Sequence, residues 1–147
     1  MSLVTDKFFA KALRESVELN ELVEGRIFNT VDDEIDPDSA AIPSVFIFNL
    51  GTQNDQGTKD NGCESDTDHD NIMLGISAKK REELGKIATL VRSVVRDAVA
   101  DLEEEDWQSL SFYIDGYTFT ASGVTWDQLK PCFWQELNYA CETTNIE

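Results

Sequence analysis

The chain has 147 residues, 41% hydrophobic and 28% charged, the size and composition of a single folded domain (1–147) with its own core rather than of a disordered segment. Its 29 acidic against 12 basic residues leave a formal net charge of −17, which excludes attraction to nucleic acid or an anionic membrane through a general electrostatic field. No apolar run approaches the roughly 20 residues that cross a bilayer, and the leading MSLVTDKFFAKALRES carries Asp6 and Glu15 in place of a signal-type apolar core. Cys63, Cys132 and Cys141 are an odd number without metal-type spacing, and read as reduced thiols of a cytosolic protein.

Thr5 and Asp6 are candidate N-caps of a first helix whose apolar side is Phe8, Phe9, Ala12, Leu13 and Val17. That helix is expected to break near Asn20, with Leu22 and Val23 leading to a C-terminal stop at Gly25. Arg26-Ile27-Phe28 starts a short strand, and TVDDEIDPDSAA (30–41) is an acidic loop punctuated by Pro37. After Pro43, SVFIFNL has the aromatic and β-branched content of a strand, apolar enough for both faces to be covered. Residues 51–70, GTQNDQGTKDNGCESDTDHD, have almost nothing to bury and are expected to form a long, mobile, acidic hairpin tip.

Asn71 to Glu103 is the unit around which the chain is organised. Ile72, Leu74 and Ile76 alternate with Met73, Gly75 and Ser77 as on a strand. A long helix follows, with Leu84, Ile87, Ala88, Val91, Val94, Val95, Ala98, Val99 and Leu102 in one broad stripe at about 100° per residue. The natural cover for such a stripe is a sheet face. Leu110 to Ile114 and Tyr117 to Ala121 flank Asp115-Gly116, a hairpin signal. Thr125 to Leu129 connects, and CFWQELNYAC (132–141) forms the last strand with Phe133, Leu137, Tyr139 and Cys141 on one face. The fold class is therefore α+β: an antiparallel or mixed sheet of about four to six strands, with one long and one shorter helix packed on one side.

Charge is unevenly placed. Eleven carboxylates and one lysine lie between Asn29 and Asn71, whereas half of the basic residues lie between Lys79 and Arg96. On a wheel with Leu84 at zero, Arg81, Arg92 and Arg96 fall at about 60° to 120°, while Glu83, Asp97 and Asp101 fall at about 220° to 260°. One account is ordinary surface charge. The other is a two-signed helix whose basic edge meets the acidic edge of a neighbouring copy, a heterologous contact of the kind that closes rings. Lys79-Lys80-Arg81 opposes the helix dipole, which points to a partner, to the acidic tip, or to a helix that starts only at Glu82.

Catalytic chemistry is not assembled. The lone histidine, His69, stands in Asp66-Thr67-Asp68-His69-Asp70-Asn71, which imitates a calcium loop but has Asn71 and Ser77 where Gly and Glu are needed. It reads as a solvated acidic turn. No nucleophile–base pair, Walker A loop or GxGxxG is present, and Gly85 inside the helix marks close packing or simple tolerance. No catalytic, metal or cofactor residues are assigned. An acidic inhibitor that mimics DNA to occupy a nucleic-acid-binding protein is the alternative function, though its carboxylates cluster in loops.

In its spacing and apolar character the chain resembles the small tail-completion or tail-terminator proteins of long-tailed bacteriophages and prophages. The matching stretches are FFAKALRESVELNELVEGRIF, then IPSVFI (42–47) opening a strand before a polar tip, then IMLGIS (72–77) leading into the helix with Ile87, Val91 and Val95. They cover roughly residues 5 to 102. The tip is longer and more acidic than that pattern, and the Asp115-Gly116 segment has no counterpart in it. The resemblance implies a structural, non-enzymatic protein of the virion tail, assembled in the host cytoplasm. It also implies a ring of copies that caps the head-proximal end of the tail tube, with tube and head-completion proteins as partners.

Overall fold

The computed structural model describes residues 2–54, 67–102 and 112–145. The first helix, α1 (Ser2–Arg14), begins ahead of Thr5 and Asp6, so these two are not caps but buried polar residues within it. The break falls at Glu15 and Ser16 rather than near Asn20. Ser16 is extended, and its hydroxyl accepts from the Leu19 N–H at 3.3 Å to cap a second helix, α2 (Val17–Val23). Asn20 instead closes the joint, its Nδ2 donating to the carbonyls of Arg14 at 2.8 Å and Ser16 at 2.7 Å. The turn at 15–16 takes Val17 off the apolar side and leaves it 71% exposed. As the Gly25 stop predicts, α2 ends in left-handed residues, Glu24 (φ 54°) and Gly25 (φ 74°).

Among the described residues six strands form one mixed sheet: β1 (Ile27–Asn29), β2 (Ser44–Asn54), β3 (Thr67–Ala78), β4 (Phe112–Ala121), β5 (Thr125–Asp127) and β6 (Cys132–Asn145). The order is β1-β2-β3-β6-β4, with β5 beside β6 at the end that β4 leaves free. Only β1 and β2 run parallel. Residues 51–54 and 67–70 of the expected tip are paired strand, and 55–66 lie outside the described residues. The acidic 30–41 loop contains a short 3-10 turn, η1 (Pro37–Ser39), and is tied down by Asp33, which accepts from Arg14 at 2.7 Å and from the Asn29 N–H at 2.8 Å.

The expected hairpin at Asp115-Gly116 is not formed. β4 runs straight through it, and the register with β6 shifts between Ile114 and Gly116, leaving Asp115 as the extra residue. Positive-φ glycines occur at Gly25 and Gly51, not at Gly116. Pairing along β6 on both sides of the dipeptide outweighs the local turn preference, and the Asp115 carboxylate accepts from the Thr144 hydroxyl.

α3 (Arg81–Ala100) lies on the same face of the sheet as α1. Leu84, Ile87, Val91 and Val95 are buried among Ile72, Leu74, Ile76, Leu137 and Tyr139, with Ala88, Val94 and Val99 at the margin, as the stripe predicts. The helix starts at Arg81, not Glu82. Lys79 and Lys80 precede it, and Glu82 and Glu83 occupy its first turn, where negative charge suits the dipole. On the opposite face of the sheet Trp134 packs closely against Gly75. A Cβ there would come within 2.4 Å of the indole and 3.1 Å of Phe48.

Gly75→Ala should therefore cost about 2 kcal/mol in urea unfolding through overpacking and perturb the near-ultraviolet dichroism of Trp134. Gly85, by contrast, is exposed, and an added Cβ meets no atom within 4 Å. Gly85→Ala should stabilise the protein by up to about 1 kcal/mol, the helix-propensity difference. A destabilised Gly85→Ala would mean that α3 packs more tightly than described.

Candidate functional site

The six charged residues expected at an assembly surface all lie on α3 or at its C-cap. Arg81, Arg92, Arg96, Asp97 and Asp101 are exposed, and Glu83 is half-buried. α3 touches α1 and α2. Toward β4, the Arg92 guanidinium sits 4.1 Å above the ring centroid of Phe119, a cation–π seat that holds it in place. Arg96 Nε lies 3.2 Å from Asp97 Oδ1, but both side chains are about two-thirds exposed, so solvent screens that pair to little net energy. The six residues are therefore spread along one exposed ridge and are not gathered into one site, and Arg96 and Asp97 are the one pair of them in contact among the described residues. The sequence reading missed Phe119. The signal was present in the alternation of Tyr117 and Phe119 toward the helices.

Strand β4 beneath Arg92 ends the sheet, and among the described residues nothing pairs with its outer edge. The other end of the sheet is β1, only three residues long. An open edge of main-chain donors and acceptors is a template for another strand, and here it belongs to the strand whose Phe119 carries Arg92.

The expected acidic turn around His69 is replaced by strand. Asp68 and Asp70 continue the inward alternation of Ile72 and Leu74 and are buried. Asp70 is held by the hydroxyls of Thr5 and Thr52, each at 2.7 Å, with that of Thr143 at 3.4 Å. Asp68 accepts from Asn54 Nδ2 at 2.8 Å. Buried carboxylates persist only when hydrogen-bonded, and these bonds tie α1 to β2, β3 and β6. His69 sits on the alternate face, opposite Glu142. Among the described residues no three of His, Cys, Asp and Glu are grouped to hold a metal. Asp70→Ala should remove the buried carboxylate on which the Thr5, Thr52 and Thr143 hydroxyls converge and cost about 2 kcal/mol or more, read by thermal unfolding. A change below 0.5 kcal/mol would show that the cluster is not structural.

Cys132 and Cys141 are free and buried, and Cys63 lies outside the described residues. Burial pushes the Cys141 thiol up to about 12, with the charge of Asp70 adding to the rise. Burial also raises Cys132, partly offset by the nearby Lys130 ammonium. A thiol whose folded-state value is raised contributes stability that is complete below its unfolded value and lost as pH rises. For Cys141 that window runs from the ordinary 9.0 to about 12. Unfolding free energy should therefore fall with pH above 9, and Cys141→Ala should flatten part of the slope. An unchanged slope would remove Cys141 from the account.

No family model matches the chain, and no curated protein matches it. Among solved structures, the fold is similar to that of a chain in the virion of a native gene transfer agent particle. The TM-score is 0.59 at 12% identity, over 96% of this chain and 95% of that one. At that identity the likeness is one of fold.

Proposed function

We propose that this protein is a structural component of a phage-type particle, a tail-completion protein that associates with itself into a ring and caps the tail tube. The observation that carries the reading is the end-to-end match to a virion chain, 96% of one against 95% of the other. The two-signed ridge of α3 supports it. Arg92 seated over Phe119 of the end strand β4, with the exposed Asp97 and Asp101 elsewhere on or beside the same helix, suits head-to-tail contact, the kind that closes into a ring. Tube and head-completion proteins are the further partners in this reading, and no catalysis is assigned.

The acidic-inhibitor alternative is less well supported. Carboxylates that would imitate phosphates are used otherwise: Asp33 pins a loop, Asp36 caps η1, and Asp68 and Asp70 are buried.

Light scattering should give a mass several times that of one chain, and negative-stain microscopy should show rings. Replacing Arg92 and Arg96 together by Glu should dissociate the oligomer while lowering stability by about 1 kcal/mol or less, the worth of the Phe119 contact. A monomer at every concentration that leaves tube length unchanged in an assembly assay would overturn the proposal.

A further inference from the structure

The sheet face turned away from the helices holds a cleft of about 420 Å³. Strand alternation supplies its floor: Phe48 from β2, Ser77 from β3, and Cys132 and Trp134 from β6. Its walls are η1, with Pro37 and Asp38, and the 125–130 segment. Three observations distinguish it from an ordinary surface hollow. Ser77 is 1% exposed, yet its Oγ has no hydrogen-bond partner among the described residues. Trp134 packs against Gly75, with its ring centre 5.9 Å from that of Phe46, which places an indole beside the cleft. Asp127 is fixed by accepting at Oδ1 from the Leu129 and Lys130 N–H groups at 3.0 and 3.3 Å. Its Oδ2 takes no hydrogen bond among the described residues.

We propose that this cleft binds an arginine side chain of a partner protein. The volume falls in the range of ligand pockets. Its charge is one ammonium against two carboxylates, and the ammonium is engaged: Lys130 Nζ donates to the Pro37 carbonyl and lies 5.8 Å from the Phe46 ring centre. An anionic ligand therefore meets net repulsion from Asp38 and Asp127. An apolar side chain leaves the Ser77 hydroxyl, Asp127 Oδ2 and the Asp38 carboxylate unserved. A lysine serves one of these acceptors as a point charge. A guanidinium stacks its plane on an indole and spreads five donors over separated acceptors. The net charge of −17 raises the encounter rate with any cationic partner. This inference is independent of the ring proposal, because the cleft and α3 lie on opposite sides of the sheet.

The test is a titration of the ¹⁵N-labelled chain with acetyl-Gly-Arg-Gly-amide, alongside the same peptide with neutral citrulline in place of arginine. The expected result is saturable shifts at the amides of Ser77, Asp127 and Trp134, with citrulline at least fivefold weaker. Asp127→Asn keeps an oxygen for the turn and should weaken the arginine peptide about fivefold to tenfold at low salt. Ser77→Ala should melt at the same temperature or higher, because it removes an unpaired hydroxyl, and still bind several-fold more weakly. Should it fail to fold, Asp38→Asn at an exposed position takes its place. Self-association displaced by the peptide would support the site and identify a second copy as the source of the arginine. Equal binding of citrulline, shifts scattered over the acidic surface without saturation, or unaltered affinity in the variants would overturn the proposal.

Discussion

The whole molecule depends on β3 keeping one face entirely inside. From Asp68 to Ala78 every second residue is buried, and Ile72, Leu74 and Ile76 meet α3 through Leu84, Ile87, Val91 and Val95. A slip of one residue in register would bring Met73, Gly75 and Ser77 under the helices and turn the aliphatic row outward. Both neighbours, β2 and β6, share that register along almost the full strand, so the constraint passes to the whole sheet. The other face reinforces it, since only Gly75 leaves room for Trp134 to lie across β3.

The same face changes chemistry toward its far end. Past Ile72 the inward positions are Asp70 and Asp68, and burying them costs free energy that hydrogen bonds must offset. Those bonds come from Thr5 on α1, Thr52 and Asn54 on β2, and Thr143 on β6. An apolar contact there would tolerate rotation and sliding. A carboxylate served by hydroxyls from separate elements accepts one arrangement, which sets where α1 sits relative to β2 and β3. Tyr139 occupies the junction between the two regimes, its ring packed by Phe9, Tyr117 and Phe119 at centroid distances of 5.1–5.3 Å.

The parts of this that were legible in the sequence are those in which a residue's neighbours in space follow from period alone. The α3 stripe, the β3 alternation and the shared face of Phe133, Leu137, Tyr139 and Cys141 are of that kind. Asp68 and Asp70 also keep the period, but their chemistry argues for solvent unless distant hydroxyls are known. Thr5 and Thr143, more than sixty residues away on either side, leave no local trace. Asp115-Gly116 fails for the converse reason. Its turn preference is local, whereas the ladder to β6 that overrides it is not. At the candidate surface, the charges on α3 were readable by angle, but Phe119 under Arg92 required knowing which strand lies beside the helix.

A chain of net charge −17 meets long-range repulsion from copies of itself. At physiological ionic strength that repulsion fades beyond a screening length of about 8 Å, so the charges within the contact decide the outcome. Here six of the twelve basic residues lie between Lys79 and Arg96, four of them on the one long helix and two just ahead of it, and Arg92 is already held in place by an aromatic ring. A pre-positioned guanidinium loses less side-chain freedom on meeting a carboxylate than a free one does. The acidic excess elsewhere then acts as selection. In the proposed ring, like-charged surfaces disfavour most relative orientations of two copies, and a contact that sets basic residues of α3 against an acidic surface of the next copy is the one the charges favour.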